Sequence, residues 1–233
     1  MNEWTAFVVT LMLAFVWIKA IEFFVHKKWV SGKLSRKIIH IGTGPLFVLC
    51  WLLFPATGYS NLLAAVIPLL ITLQFFLVGS GFIKDPQLIE SMSRTGNRRE
   101  ILKGPLYYGI VFVLITIMIW YHHPAGIIAL MVMCGGDGMA DLFGSRIKSN
   151  HFLWAKGKTV GGSIAMFVGA FLFSFIMLMI YQYVGIFDFL FYKFLGSLLI
   201  ISLSSAIVES ITRGNMDNIT VPVSALILGY LLF

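Results

Sequence analysis

The feature that most constrains this chain is the recurrence of apolar runs about 18 or more residues long, from one end to the other. A run of that length crosses the hydrocarbon core of a bilayer as an α-helix, which satisfies its own backbone hydrogen bonds where there is no water to do so. Charged residues make up 12% of the 233 positions and apolar ones 59%, with a mean hydropathy of +0.91. A soluble domain carries about 25% charge. The expected fold is therefore all-α: a polytopic integral membrane protein in which residues 1–233 form a single transmembrane domain, with no soluble domain left over.

Apolar runs and their polar breaks predict about eight transmembrane helices, over 4–25, 38–54, 61–79, 105–121, 125–145, 160–181, 190–211 and 219–233. Only "MNE" precedes the first run, without a basic region, and no small-residue cleavage site follows it, so it is expected to be a retained span. Cys50 and Cys134 both fall inside spans, with neither zinc-ligand spacing nor a disulfide framework, and are expected to be packing residues. Fifteen of the 17 Lys and Arg fall in alternate connections, after spans one, three, five and seven. The positive-inside rule then places those connections in the cytoplasm and both termini on the extracytoplasmic side. The formal net charge of +7 follows from that topology. It does not point to nucleic acid, which needs a basic face on a folded soluble module. A site built from polar residues would open at the cytoplasmic face of a prokaryotic cell membrane, where nearly all of them gather.

"CGGDGMADLFGSR" places Asp137 and Asp141 four residues apart, on one helical face about 6 Å apart along the axis. Like charges so placed repel, and near a bilayer each is costly. A divalent cation answers both objections, and Mg²⁺ favours one or two carboxylates together with phosphate oxygens and water. Gly136 and Gly138, with Gly135, Ala140 and Gly144, leave room for a ligand or for a neighbouring helix. A solvated acid pair at a helix end is the plainer alternative.

"WAKGKTVGGSIAMF" follows. Lys156 and Lys158 precede Thr159, Gly161, Gly162 and Ser163, which open the sixth span. Backbone N–H groups at a helix start attract anions, and two lysines beside them suit a polyphosphate. The pattern is not a P-loop, because Phe152 stands where the Walker motif needs its first glycine and no strand precedes it. A basic loop leading into a glycine-rich packing face would read the same way.

At the start of the second span, Arg36 and His40 are one turn apart, beside Lys37. An ionisable group just inside a span suggests function, and a histidine there suits a general base for an alcohol or a phosphate donor. Arg98 and Arg99 lie before "GPLYYG", and arginine forks suit phosphate oxygens. Glu209 ends the seventh span and is a further candidate metal ligand or base. Asp217 and Asn218 precede the eighth, where Asn218 has the composition of a helix cap. Acids, bases, lysines, arginines and a glycine-rich helix start thus converge on one membrane face. That combination suits Mg²⁺-assisted chemistry on a nucleoside polyphosphate, with a second substrate arriving from the lipid.

The ordered set "RKIIHIGTG", "RREILKGPLYYG", "GGDGMADLFGSR", "KGKTVGGSIAMF" and "ES…DNITVP" resembles the polyprenol kinase family, which includes phytol and farnesol kinases, dolichol kinase and the CTP-dependent diacylglycerol kinases. The match covers about residues 33 to 225, closest to the phytol kinase type. It implies one lipid-alcohol kinase domain over 1–233. That domain would transfer the γ-phosphate of CTP, or of ATP or another nucleotide, to the hydroxyl of a long-chain isoprenoid or other lipid alcohol among the membrane lipids. By the same resemblance Asp137 and Asp141 hold Mg²⁺ and the nucleotide phosphates, while Glu209 joins them as a metal-ligand candidate on its own chemistry. The resemblance likewise implies that Lys156, Lys158 and the Gly161–Ser163 turn bind the polyphosphate; Thr159, Gly136, Gly138, Arg98, Arg99 and Asn218 are further nucleotide-binding candidates on their own chemistry. His40, with Arg36 and Lys37, matches the "RK..H" element. Asn97 departs from the family, whose members often carry an acid before the arginine pair. A homodimer is left open.

Two other readings compete. A CTP-dependent cytidylyltransferase making a CDP-lipid also uses acids at helix ends, but its "GHGG..DR.D" signature is missing. A lipid or anion transporter is expected to show echoed halves with broken helices at midplane, and here the polar motifs gather at one face.

Overall fold

A computed structural model describes the chain from Met1 to Phe233 except Thr57, Ser145, Lys148, Leu153, Ala155 and Lys156, and the side chain of Lys33. Among the described residues the fold is all-helical, as expected. The helices are α1 (Glu3–His26), α2 (Gly32–Trp51), α3 (Ser60–Ser80), α4 (Pro86–Met92), α5 (Gly104–Met118), α6 (Pro124–Met131), α7 (Gly138–Gly144), α8 (Val160–Tyr183), α9 (Phe191–Ile211) and α10 (Asp217–Leu232). They fall into two compact units, Met1–Met118 and Ile119–Phe233.

Every predicted span contains a helix. Six stretches are long and apolar enough to cross a membrane: Glu3–His26, Ser60–Ser80, Arg98–Met118, Pro124–Gly144, Val160–Tyr183 and Phe191–Ile211. The other two helices of the expected eight differ for local reasons. Ser31 caps α2 through its hydroxyl, which accepts from the Leu34 N–H, so α2 starts at Gly32 and takes in Lys33, Arg36 and Lys37 as helical residues. α10 has 16 residues.

In the first unit, Ile21, Ile39, Phe75, Val78, Leu88, Met92 and Ile101 form a core to which α1, α2, α3 and α4 all contribute. α3 ends at Gly81, whose φ of +87° is the left-handed conformation that closes a helix at little cost only for glycine. The segment beyond it is held by local bonds. Asp85 accepts from Leu88 N–H to start α4, and the Glu100 carboxylate accepts from the Thr95 hydroxyl at 2.6 Å. Asn97 Oδ1 accepts from Arg99 N–H at 3.0 Å, capping the short Arg98–Glu100 turn. The asparagine that departs from the family pattern thus has a capping job that an acid would also do.

In the second unit, Pro124–Gly144 is the central rod. Of its apolar window 72% is buried within the protein, against 11% for α1, so this rod is core where α1 offers its surface to lipid. Between α6 and α7 the helix widens over Val132–Asp137 into a π-helical segment, a rare form associated with functional sites. The glycines here serve helix packing. A Cβ on Gly135 would lie 2.3 Å from the Phe173 ring, one on Gly136 would lie 2.8 Å from Met166 Sδ, and one on Gly169 would lie 2.5 Å from the Gly135 carbonyl oxygen. α8 therefore approaches the rod backbone to backbone, the small-residue packing that membrane helices favour. Gly169→Ala is expected to cost about 2–3 kcal/mol by overpacking, read as a lower midpoint of thermal unfolding in detergent. An unchanged midpoint would show that α8 shifts freely.

Candidate active site

Three carboxylates from three elements of the second unit meet at one point. Asp137 ends the π-helical segment, Glu209 lies in the last turn of α9, and Asp217 opens α10. One oxygen from each lies within 4.8 Å of the others. Glu209 is buried, Asp217 nearly so, and Asp137 is half-buried. Ranged along three different helices, these acids converge only because α9 and α10 both pack against the π-helical segment.

Lys158 holds the group together. Its ammonium donates to Glu209 Oε1 and, at 3.2 Å, to Asp217 Oδ2. Burial alone would lower its pKa, but Glu209 first, then Asp217 and Asp137, hold it above the usual lysine value. The lysine is placed by a short pairing of the loop before α8. Phe152 N–H donates to the Lys158 carbonyl, Val160 N–H donates to the Asn150 carbonyl, and His151 pairs with Thr159.

Beside the acids, Asn218 is buried and its Oδ1 has no hydrogen-bond partner, while its N–H and Nδ2 both turn to Asp217 Oδ1. Asn218 does not cap α10, which starts one residue earlier. It presents an unused acceptor next to three carboxylates. Oxygen ligands at this spacing, with an orphaned carbonyl alongside, fit a small hard cation such as Mg²⁺.

Of the residues named from sequence, the structure brings Asp137, Glu209, Lys158 and Asn218 together. Asp141 lies on α7, exposed, and is not one of the three converging carboxylates. Asp217 takes the place that spacing gave to Asp141. A charged residue about to enter an apolar helix was the signal available for it.

The start of α8 is closed by the chain itself. Val160, Gly161, Gly162 and Ser163 N–H groups donate to Asn150 O, Ser149 Oγ, Thr159 Oγ1 and Thr159 O. These four donors are used internally, and the Ser163 hydroxyl is left buried without a partner. Gly162 sits against Gly144, Gly136 against Met166 and Ala170, and Gly138 is buried. Lys156 lies outside the described residues.

The remaining named residues belong to the first unit. His40 lies half-buried on α2. Its ring packs on Tyr108 at 4.6 Å between centroids, and its backbone carbonyl accepts from the Tyr108 hydroxyl at 2.9 Å. Arg36 and Lys37 are half-buried one turn earlier, and Arg98 and Arg99 are exposed in their capped turn.

Known proteins extend this picture. A probable phytol kinase, chloroplastic, of Triticum aestivum is 36% identical over 222 residues, covering 94% of this chain and 74% of that protein. Phytol kinase 1, chloroplastic, of Arabidopsis thaliana is 34% identical over 222 residues, covering 94% and 73%. A probable phytol kinase, chloroplastic, of Zea mays is 33% identical over a similar span. No family model matches the chain, and no solved structure matches it. The chloroplastic plant relatives correct the expectation of a prokaryotic cell membrane, which rested on topology alone, and charge asymmetry does not identify a compartment. Identity at this level across nearly the whole chain shows that it belongs to the phytol kinase family.

Proposed function

We propose that this chain transfers the terminal phosphoryl group of a nucleoside triphosphate, CTP in the reading the family resemblance supports, to the hydroxyl of a membrane isoprenoid alcohol such as phytol. Membership of the family makes it a phosphotransferase with an alcohol acceptor, and the relatives' names point to a chloroplast membrane as its setting. The carrying observation is the convergence of Asp137, Glu209 and Asp217 around Lys158. Phosphoryl transfer asks a protein for positioning and charge neutralisation more than for covalent chemistry.

In this reading Asp137, Glu209 and Asp217 hold Mg²⁺, which supplies charge neutralisation on the donor phosphates. Lys158 balances two of the acids and, being 23% exposed, can turn its ammonium to a phosphate oxygen. Asn218 Oδ1 offers an acceptor to the nucleotide or its ion shell. His40, on α2 of the first unit, is the candidate base for an alcohol, and Arg36 and Lys37 on the same helix are candidate phosphate ligands. The eight helices span the membrane with both termini on the face opposite the basic connections. The two units act as one kinase domain, as the alignment over nearly all of both supports. Apolar helix surfaces accept the hydrocarbon tail without specifying its length.

Purified protein given CTP labelled at the γ- or the α-phosphate, with phytol, farnesol, undecaprenol or diacylglycerol, tests this. Label from the γ-position is expected in lipid, with phytol the best acceptor. Label from the α-position would instead identify a cytidylyltransferase, and no lipid label would overturn the proposal.

A further inference from the structure

We propose that a cavity in the first unit, separate in sequence from the carboxylate cluster, is a phosphate-binding site whose principal ligand group is the Arg98 guanidinium. The cavity holds about 870 Å³, within the range of small-molecule sites. Its wall includes Gly32, the first residue of α2, together with Gly81, Lys84, Glu90, Arg94 and Arg98. These residues lie between the end of α3 and the start of the apolar stretch Arg98–Met118. The cavity therefore sits where two membrane-crossing stretches reach the polar layer.

Three cations line it, and among the described residues none of them makes an ion pair. Two acids share the wall, but Asp85 is committed, its Oδ1 accepting from Leu88 N–H at 2.9 Å and its Oδ2 facing Gln74 at 3.5 Å. Of the acids in the wall Glu90 is left to oppose the three cations, and Glu100, whose carboxylate accepts from the Arg94 N–H, also faces Arg94. The positive end of the α2 dipole adds to the same sign.

Arg98 is not loosely placed. A Cβ on Gly81 would lie 1.2 Å from Arg98 Nη1 and 2.4 Å from its Cζ, so the guanidinium lies directly on the glycine backbone. Gly81 serves two ends at once: it closes α3 at φ +87° and leaves the surface on which the arginine fork is laid. Its neighbour Arg99 is anchored through its backbone by Asn97, which fixes the turn that aims Arg98. A flat, preoriented fork beside two further cations suits the oxygens of a phosphate group. Two sources share that chemistry: the polyphosphate of a soluble nucleotide, and the phosphomonoester head of a membrane lipid.

Binding to the full chain in phosphatidylcholine nanodiscs separates them. CTP is titrated calorimetrically, and phosphatidic acid doped into the disc is followed by native mass spectrometry. Arg98→Gln and Gly81→Ala are each expected to weaken binding of the true ligand class about tenfold, Glu90→Gln to strengthen it, and added salt to weaken it. Weakened CTP binding with unchanged lipid retention assigns the nucleotide, and the reverse assigns the lipid head; either supports the site. Because Gly81→Ala also strains the end of α3, Lys84→Gln/Arg94→Gln/Arg98→Gln is the control with intact backbone. Unchanged affinity for both probes in that variant, at an unchanged unfolding midpoint, overturns the proposal. So does failure of the unaltered chain to bind either probe.

Discussion

Asp137→Asn and Asp217→Asn are each expected to reduce turnover about 10²–10³-fold, the usual loss on removing one preorganised electrostatic group. Both changes keep size and shape, so the helices should stay assembled and the unfolding midpoint should hold. Asp141→Asn, exposed on α7 and outside the converging trio, should lose less than about tenfold. The measurement is initial rate against total Mg²⁺ at saturating nucleotide. In the first two variants the Mg²⁺ requirement should move to higher concentration, while in Asp141→Asn it should not. Full activity in both cluster variants would refute the proposed metal site. A loss confined to Asp141→Asn would return the site to the helical pair suggested by spacing.

Lys158→Met should produce a large loss of stability. Glu209 and Asp217 would lose the ammonium between them, with Asp137 close by. Removing one partner from a fully buried ionic group costs about 3–5 kcal/mol. Lys158 is 23% exposed, so about 2–3 kcal/mol is the fitting expectation after allowance for solvent screening. Millimolar Mg²⁺ should restore much of the loss, because a cation among the three acids replaces the missing charge. A midpoint equally depressed with and without Mg²⁺ would show that the acids do not form a cation site. In the unaltered chain the sign of the lysine's shift keeps its own ammonium charged at ordinary pH. Its pKa is raised, so its contribution is complete below the ordinary value of 10.5 and is lost only as pH climbs through the higher folded value.

The helices were legible because the bilayer imposes one length and one chemistry on whatever crosses it. All eight expected spans contain a helix, and the largest boundary shift has a local device behind it. Ser31 is that device, its cap carrying α2 back to Gly32 through a stretch whose charges read as loop. Asp137 and Glu209 were also legible, since an acid in an apolar helix is costly enough to suggest a purpose.

The rest was out of reach for a physical reason. Spacing relates residues on one helix, and on that basis Asp141 was the natural partner of Asp137. The partners it does have lie 72 and 80 positions away by their numbering, and packing of α9 and α10 on a π-helical segment brings them in. Glycines that could equally have admitted a ligand or a helix admitted α8, because Phe173, Met166 and Gly169 lie against them. N–H groups that looked available at the start of α8 had already been taken by Asn150, Ser149 and Thr159. Sequence by itself determined an all-helical chain suited to a membrane and the ordered motifs of a lipid-alcohol kinase. Tertiary structure alone decided which acids share a cation-sized space and which lysine balances them. It also placed the Arg98 fork on Gly81, because these are contacts between elements and no local periodicity encodes them.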